Sequence, residues 1–290
     1  MSGGGDDGPT ATFLLSCPDQ PGLVRSVADF VFRHGGNIAH ADQHIDRQEG
    51  TFFQRVEFSL DGFGVPRTEL ADALADETGD VGMRIDVRFS DVVPRMAILV
   101  SQQAHCMEDL LARWRTGDLE VDLPLVISNH PDHADLVRFM GPQYVHLPVT
   151  PEDRQGQESE LSRLLVEERI DLVVLARYMQ ILSPSFVEGW RGRVINIHHS
   201  FLPAFAGARP YHQAHLRGVK LIGATAHYAS EELDGGPIID QDVVRVSHRD
   251  AVEDLVRKGR DLERVVLARA VRAHLEGRIL LHGNKTVVFD

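Results

Sequence analysis

The densest group of reactive side chains lies between Val194 and Pro203, where the sequence reads VINIHHSFLP. Alternation of side chains along a strand predicts that Asn196 and His198 share one face. An amide and an imidazole placed in this way can donate hydrogen bonds to an oxygen that becomes negative during acyl transfer. The same pair could instead satisfy backbone groups at the end of a strand. Taken alone, the segment fits either role.

A carboxylate that could act with His198 follows in the segment Leu233-Asp-Gly-Gly-Pro237. Two glycines after Asp234 favour a tight turn, which can bring the carboxylate close to another strand end. A carboxylate beside His198 would stabilise its imidazolium form and keep the ring oriented. Without this context, such a segment is more often only a turn.

The elements that precede the reactive segments form a first predicted domain. Residues 10–90 show the order βαββαβ, which predicts a ferredoxin-like domain after a disordered, glycine-rich tail over residues 1–9. Phe53, Val56 and Phe58 do not follow one strict alternation, so their register stays open. The expected strands are Ala11–Cys17, Ile38–Asp46, Thr51–Leu60 and Met83–Phe89, and the expected helices are Gly22–His34 and Pro66–Thr78.

Residues 91–290 form the second predicted domain, in which strands alternate with helices. This order predicts an α/β, doubly wound, mostly parallel Rossmann-like sheet. Such sheets bind ligands outside the carboxyl ends of their strands, where Asn196 and His198 are expected. The expected strands are Met96–Ser101, Asp122–Ser128, Tyr144–Leu147, Leu172–Ala176, Arg193–His198, Leu221–Tyr228 and Ile238–Val246, and the helices are Cys106–Arg115, His133–Met140, Glu152–Glu168 and Ala251–Glu276.

The overall composition excludes some classes of partner. With 30 basic and 43 acidic residues, the formal charge of −13 disfavours nucleic acid and anionic lipid. No apolar stretch approaches the roughly 20 residues of a membrane helix. The two cysteines, Cys17 and Cys106, belong to different predicted domains, which favours a reduced, cytoplasmic setting.

Four segments together resemble the active-site signature of the folate-dependent formyltransferase family. They are Asn196-x-His198-x-Ser200-x-Leu202-Pro203, Ala224-Thr-Ala-His227, Leu233-Asp234-Gly-Gly-Pro-Ile238 and Leu175-Ala-Arg-Tyr-Met-Gln-Ile-Leu-Ser-Pro184. The resemblance implies that Asn196, His198 and Asp234 act on the formyl group of 10-formyltetrahydrofolate. It also implies a folate pocket formed by Met179, Gln180, Ile181, Leu182 and Tyr228, with His227 supporting the aspartate or a bound water.

The N-terminal segments Ser16–Leu23 and Gly35–Ile38 resemble an ACT domain, a small amino-acid-sensing module. The loop before the first helix would present backbone N–H groups to a carboxylate. The resemblance implies an effector such as methionine or glycine, bound near Asp19, Gly22, Leu23 and Asn37. Since ACT modules commonly pair, we expect a homo-oligomer.

An ACT domain joined to a formyltransferase-like domain resembles the formyltetrahydrofolate deformylase family, over roughly residues 10–290. The segments 34–38, 42–44 and 206–214 carry the same resemblance. It implies hydrolysis of 10-formyltetrahydrofolate to tetrahydrofolate and formate, which balances the one-carbon pool and supplies formate for purine synthesis.

The choice of acceptor also rests on the residues. Formyltransferases that act on glycinamide ribonucleotide resemble this domain but carry a glycine-rich loop that holds the phosphate. No glycine occurs between Arg95 and Thr116 here, so a nucleotide acceptor is disfavoured. The acidic net charge disfavours an aminoacyl-tRNA, and water needs no binding site of its own. A transferase with another amine acceptor, and a non-catalytic amino-acid sensor, remain the alternatives.

The expected mechanism uses the three reactive residues together. Asn196 and protonated His198 would donate hydrogen bonds to the formyl oxygen while water attacks. Asp234 would accept the water's proton, and His198 or Asp234 would protonate N10 of the folate. No cofactor is expected beyond this substrate.

The remaining histidines and arginines carry weaker indications of function. Among fifteen histidines, His212 and His215 could form a metal-ligand pair, but no HExxH or paired CxxC accompanies them, so we expect no metal. His199 is expected to pack against or cap the strand end, and the helix Ala251–Glu276 to be solvated or subunit-facing. Arg177 and Arg209 could meet the glutamate tail of folate or form surface ion pairs.

Overall fold

The computed structural model describes residues 8–79, 81–150, 153–203 and 210–290. Two compact units divide the chain: the first runs to Val93 and includes 276–282 and 287–290, and the second comprises Pro94–Leu275 and Gly283–Thr286. Residues 1–7 of the predicted tail and residues 206–209 of the segment 206–214, including Arg209, lie outside the described residues. No helix within the described ranges is long and apolar enough to cross a membrane.

The first unit is built on a four-stranded sheet. Its elements are β1 (Thr10–Pro18), α1 (Leu23–Arg33), β2 (Ile38–Asp46), β3 (Thr51–Ser59), a 3₁₀ turn at Arg67–Glu69, α2 (Leu70–Thr78) and β4 (Arg84–Phe89). The strands are antiparallel in the order β2-β3-β1-β4. This topology confirms the ferredoxin-like arrangement that the sequence predicts.

The second unit is built on a seven-stranded sheet with helices between its strands. Its elements are β5 (Arg95–Val100), α3 (His105–Arg115), β6 (Asp122–Ser128), α4 (Ala134–Met140), β7 (Gln143–His146), α5 (Arg154–Glu167), β8 (Leu172–Leu175), α6 (Pro184–Gly189), β9 (Val194–His198), α7 (Pro210–Arg217), β10 (Leu221–Tyr228), β11 (Ile238–Arg245) and α8 (Val252–Leu275).

The order of the strands in this sheet is β11-β10-β9-β8-β5-β6-β7. Strands β9 to β7 in that order run parallel, whereas β10 is antiparallel to both of its neighbours. The mostly parallel sheet is therefore confirmed. Its central strands are apolar and buried on both faces, as helices on both sides of a parallel sheet require.

The helix α6 and the C-terminal hairpin have no counterpart in the sequence-based prediction. In α6, Ser183 accepts a hydrogen bond from Phe186 N at 3.2 Å and Pro184 occupies the first turn. A serine cap followed by proline is a recognisable helix start, but the six-residue helix lacks a full apolar period. The C-terminal hairpin consists of β12 (Ile279–His282) and β13 (Lys285–Val288).

The unresolved register of Phe53, Val56 and Phe58 has a simple explanation. Val56 and Phe58 pack with both helices of the first unit. Phe53 is also buried, in a separate cluster with Leu14 and Phe289, because the C-terminal segments of this unit cover that part of β3. Both faces of the strand are thus covered here, and strict alternation of apolar and polar residues is not needed.

Candidate active site

The register of two neighbouring strands brings the polar side chains of the site together. Asn196 of β9 lies opposite His227 of β10, and His198 lies opposite Thr225. Residues directly opposite each other in an antiparallel pair point to the same face of the sheet. Asn196, His198 and His227 therefore share one face at the carboxyl end of β9, and the alternation in the sequence predicts this for Asn196 and His198.

The turn between β10 and β11 positions the carboxylate of Asp234 beside His198. Oδ2 of Asp234 lies 3.1 Å from Nδ1 of His198. The backbone of Asp234 has a φ of 57°, a left-handed conformation that Asp tolerates better than most residues. A Cβ added to Gly236 would lie 1.9 Å from the carbonyl oxygen of Tyr228, so only glycine allows this close approach. The structure thus brings Asn196, His198 and Asp234 together.

His227 connects two of these residues. Its Nδ1 lies 2.9 Å from the carbonyl oxygen of Tyr228, and since a carbonyl only accepts, Nδ1 carries a proton. In the neutral ring Nε2 then accepts a hydrogen bond from Nδ2 of Asn196 at 3.1 Å. Nε2 also lies 3.8 Å from Oδ1 of Asp234. The amide of Asn196 is therefore held in place while its nitrogen keeps a second N–H.

The electrostatics of the site favour an ionised aspartate. Burial alone would raise the pKa of Asp234, but the hydrogen bond from His198, together with the electrostatic effect of the neighbouring imidazoles of His198 and His227, holds it well below its usual range. Nε2 of His198 is buried and has no hydrogen-bond partner within the described residues. Such an unsatisfied group typically costs about 1–3 kcal/mol, which a bound substrate could recover.

These residues line a cavity of about 650 Å³ in the second unit, a usual volume for a small-molecule site. Met179 and Ile181 expose 60% and 66% of their surface at its wall. Five of the six side chains predicted for folate binding line this cavity: Met179, Gln180, Ile181, Leu182 and His227. The exception is Tyr228, which is buried, and its hydroxyl contacts Nδ1 of His274 on α8 at 2.7 Å.

Hydrogen bonds from Ser101 to neighbouring residues hold the loop after β5 in place. The hydroxyl of Ser101 donates to Oδ1 of Asn129 at 2.7 Å and accepts from the backbone N–H of Met179 at 2.9 Å. The carbonyl oxygen of Ser101 lies 2.9 Å from Nε2 of His133. Ala104, at the start of α3, provides no side-chain cap. This loop therefore lacks the open glycine-rich backbone of a phosphate nest.

A buried network behind the reactive histidine is absent from the sequence-based prediction. Arg177, which we interpreted as a surface or glutamate-tail residue, is 7% exposed, and its Nη1 donates to Nδ1 of His199 at 2.5 Å. The ring of His199 stacks on that of His198, with centroids 5.0 Å apart. Burial, and then the charge of Arg177, lowers the pKa of His199 to about 4, so the ring is neutral at physiological pH.

Glu263 anchors this network from α8. It is 1% exposed within its own chain, so the expectation of a solvated or subunit-facing helix is wrong at this position. Its carboxylate accepts a hydrogen bond from the Tyr211 hydroxyl at 2.7 Å, contacts Nε2 of His105 at 2.9 Å and lies 3.5 Å from Nε of Arg177. Burial would raise the pKa of Glu263, but the hydrogen bond from His105 and the charge of Arg177 lower it overall.

One sequence signal could have identified Glu263. It shares the buried face of α8 with Leu255, Gly259 and Val266, at helical spacing. A carboxylate on an apolar stripe is rarely solvated, and it needs a buried cation. A Cβ added to Gly259 would lie 2.0 Å from the hydroxyl oxygen of Tyr211, so this glycine makes room for the tyrosine that binds Glu263.

His105, Cys106 and Glu263 are close enough to share a metal ion. However, burial, and then the charge of Glu263, raise the pKa of Cys106, which keeps the thiol protonated and a poor ligand. Glu263 is also engaged with Tyr211 and His105. These side chains therefore fit a hydrogen-bonded network better than a metal centre.

The predicted effector residues fall into two places in the first unit. Gly22 begins α1 with a φ of 96°, and Asp19 lies in the same loop. Leu23 is buried and packs with Cys17 and Phe52, so its side chain is a core residue. Asn37 follows the other end of α1, whose 11 residues span about 16 Å. The structure does not bring Asn37 together with the others.

Comparison with known families agrees with the two units. A formyl transferase family model matches residues 94–271, and an ACT domain model matches residues 11–77. Among solved structures, a glycinamide ribonucleotide transformylase from Symbiobacterium toebii is 31% identical, with a TM-score of 0.65, and the match covers 71% of this chain and 98% of that chain.

Relatives that match nearly the full length share one name. A formyltetrahydrofolate deformylase from Synechocystis is 56% identical, over 97% of this chain and 98% of its own. That from Bacillus subtilis is 46% identical, over 96% and 93%. The crystal structure of one from Pseudomonas syringae has a TM-score of 0.95 at 48% identity, and covers 98% of this chain and 96% of that chain. The chain therefore belongs to the formyltetrahydrofolate deformylase family.

Proposed function

We propose that this protein hydrolyses 10-formyltetrahydrofolate to tetrahydrofolate and formate. One observation carries the proposal: an imidazole and an ionised carboxylate lie 3.1 Å apart beside an amide, at the wall of a cavity large enough for a pterin. The full-length relatives with the same two domains bear the name of this activity.

In the proposed mechanism His198 carries the proton. Asp234 accepts the Nδ1–H of His198, which leaves Nε2 as the basic atom. Nε2 takes a proton from water as the water oxygen bonds to the formyl carbon. The carbonyl electron pair moves to oxygen, where the free N–H of Asn196 stabilises the charge. When the C–N10 bond breaks, the imidazolium returns the proton to N10, and the formic acid loses its own proton to solvent.

This assignment differs from the expectation that Asp234 takes the water's proton. A carboxyl group whose pKa lies below its usual range is a weak base. Asp234 serves better as the group that orients His198 and stabilises its charged form. His227 holds the amide of Asn196 by the 3.1 Å contact and leaves its second N–H for the substrate.

Water is the acceptor that best fits the cavity. The loop after β5 has no glycine, and Ser101 is bonded to Asn129 and Met179. Arg177 adds a buried cation to the cavity wall, which disfavours a protonated amine. No bound acceptor other than water is required by this arrangement.

The test is to incubate the purified protein with 10-formyltetrahydrofolate alone and to measure formate and tetrahydrofolate over time. We expect equal amounts of both products, and none above background from His198→Ala. Product that forms only after an amine such as glycinamide ribonucleotide is added would establish a transferase. Folate binding without turnover would establish a sensor.

We infer that the ACT unit binds an amino acid, methionine or glycine, at the start of α1, and that the protein is a homo-oligomer. The N–H groups of a helix start favour a carboxylate, and Gly22 begins the helix without a side-chain cap. Cys17 and Cys106 are free and buried, which fits a reducing cytoplasm and a role in the one-carbon pool and purine synthesis.

A further inference from the structure

Two buried side-chain nitrogen atoms in the second unit lack a hydrogen-bond partner within the described residues. They are Nε2 of His198 and Nε of Arg177. Both residues line the same cavity. The mechanism uses the histidine nitrogen and leaves the guanidinium unexplained. The carboxylate of Glu263 lies 3.5 Å from this Nε and pairs with the guanidinium without accepting a hydrogen bond from it, so N–H groups of Arg177 remain for a ligand in the cavity.

The guanidinium is held rigidly by two groups. Nη1 donates to His199 at 2.5 Å, and the carboxylate of Glu263 lies 3.5 Å from Nε. Glu263 is itself fixed by Tyr211 and His105. The backbone of Arg177 has a φ of 65°, which is rare for a side chain of this size and which the surrounding contacts must maintain. The cation is thus held in one place beside the reaction centre.

His199 lies between the guanidinium of Arg177 and the ring of His198. Its Nδ1 contacts Arg177, and its ring stacks on His198 with centroids 5.0 Å apart. One imidazole therefore separates the guanidinium from the ring at which the formyl group would be hydrolysed. An anion formed at His198 needs to move only by about the width of this ring to meet Arg177.

We propose that Arg177 forms a binding site for a small carboxylate, the formate product, next to His198. This inference rests on the proposed hydrolysis. A guanidinium presents a planar set of N–H donors that matches a carboxylate. Formate is the anion that the reaction produces at this wall of the cavity, and Arg177 receives it when the C–N10 bond has broken.

The folate's own carboxylates are poorer candidates for this site. They lie at the end of a long substituent that begins at N10, so they are remote from the carbon at which the reaction takes place. Arg177 is 7% exposed and lies behind His199. Arg260, which is exposed at the cavity wall, is better placed for a solvated carboxylate. A buried cation beside the reactive histidine suits the smallest anion.

The experiment measures inhibition of 10-formyltetrahydrofolate hydrolysis by added formate, at constant ionic strength set with chloride. We expect formate to inhibit the native protein, and the inhibition constant to rise about ten- to hundredfold in Arg177→Gln, the loss of one charge-assisted contact. Arg163→Gln is the matched control, because Arg163 is exposed on α5 and does not line the cavity; it should leave the inhibition constant unchanged. Equal inhibition of the Arg177→Gln and native proteins, or loss of inhibition only in Arg260→Gln, would overturn the proposal.

A second variant and a second measurement keep the test decisive. Arg177→Gln leaves Glu263 without its cation and could unfold the protein, whereas Arg177→Lys keeps the charge and loses the planar donors. NMR line broadening of ¹³C-formate measures its binding to the protein with tetrahydrofolate. We expect this binding to be weaker in Arg177→Lys than in the native protein, and unchanged in Arg163→Gln. Since this measurement needs no turnover, it separates a missing formate site from a missing hydrolase activity.

Discussion

His198 and Asp234 meet at 3.1 Å although β10 separates them along the chain. Strand β9 ends at His198, β10 runs antiparallel beside it, and the turn after β10 places the Asp234 carboxylate against this histidine. The left-handed backbone of Asp234 and the close approach at Gly236 fix where the carboxylate lies. The orientation of the imidazole therefore depends on a turn as well as on a side chain.

Replacing Asp234 by asparagine tests the role of its charge. Asparagine keeps the size and can still accept a hydrogen bond from Nδ1 of His198, but it cannot stabilise the imidazolium. We expect kcat for formate release to fall about 10²–10⁴-fold, the usual contribution of a charge-assisted acid–base pair. The KM should change little, since the folate wall is untouched. Formate release and folate binding measure the two effects separately.

Asp240→Asn provides the matched control for this charge. Asp240 lies on β11 and pairs with Arg269 outside the cavity. Loss of such a surface pair typically costs at most about 1 kcal/mol of stability, and turnover should stay at the native level. Near-native turnover of Asp234→Asn would show that the carboxylate has no role in the chemistry.

Asn196→Asp separates the donor from the shape of the side chain. The carboxylate is isosteric with the amide but has no N–H, and it places a negative charge where the formyl oxygen becomes negative. We expect kcat to fall at least about 10²–10³-fold, the usual effect of losing one oxyanion donor. Asn196→Ser, which removes the amide without adding charge, should lose less activity than Asn196→Asp. The reverse order would contradict the donor role.

The sequence predicts that Asn196, His198 and Asp234 lie close together, because local rules place these side chains. Alternation along a strand sets the shared face of Asn196 and His198, and turn chemistry places Asp234 after it. The partners of Arg177 cannot be found in this way, because Glu263 comes from a helix far along the chain. The covering of Phe53 by Phe289 likewise depends on tertiary packing. Local patterns thus predict the reactive wall of the cavity but not the network behind it.

The low pKa of Asp234 predicts a specific loss of stability in acid. A group whose pKa is depressed by folding stabilises the folded protein above its unfolded pKa, near 3.9 for Asp, and this contribution is lost as the pH falls toward the folded pKa. The native protein should therefore exceed Asp234→Asn in free energy of unfolding at pH 7, and the difference should shrink below about pH 4. Urea denaturation of both proteins at pH 7, 5, 4 and 3.5 measures it. A difference that grows in acid would contradict the assignment.

Gly236→Ala tests whether the turn positions the carboxylate. The added Cβ would lie 1.9 Å from the carbonyl oxygen of Tyr228, so the backbone must move, and Asp234 moves with it. A displacement of about 1 Å in a catalytic group can cost about 10²-fold in rate, so we expect kcat to fall by that order while far-UV circular dichroism stays native. Gly189→Ala at the exposed end of α6 is the control, because a Cβ there meets nothing within 4 Å. If both alanine variants hydrolysed 10-formyltetrahydrofolate at the native rate, the close approach at Gly236 would have no part in holding Asp234 against His198.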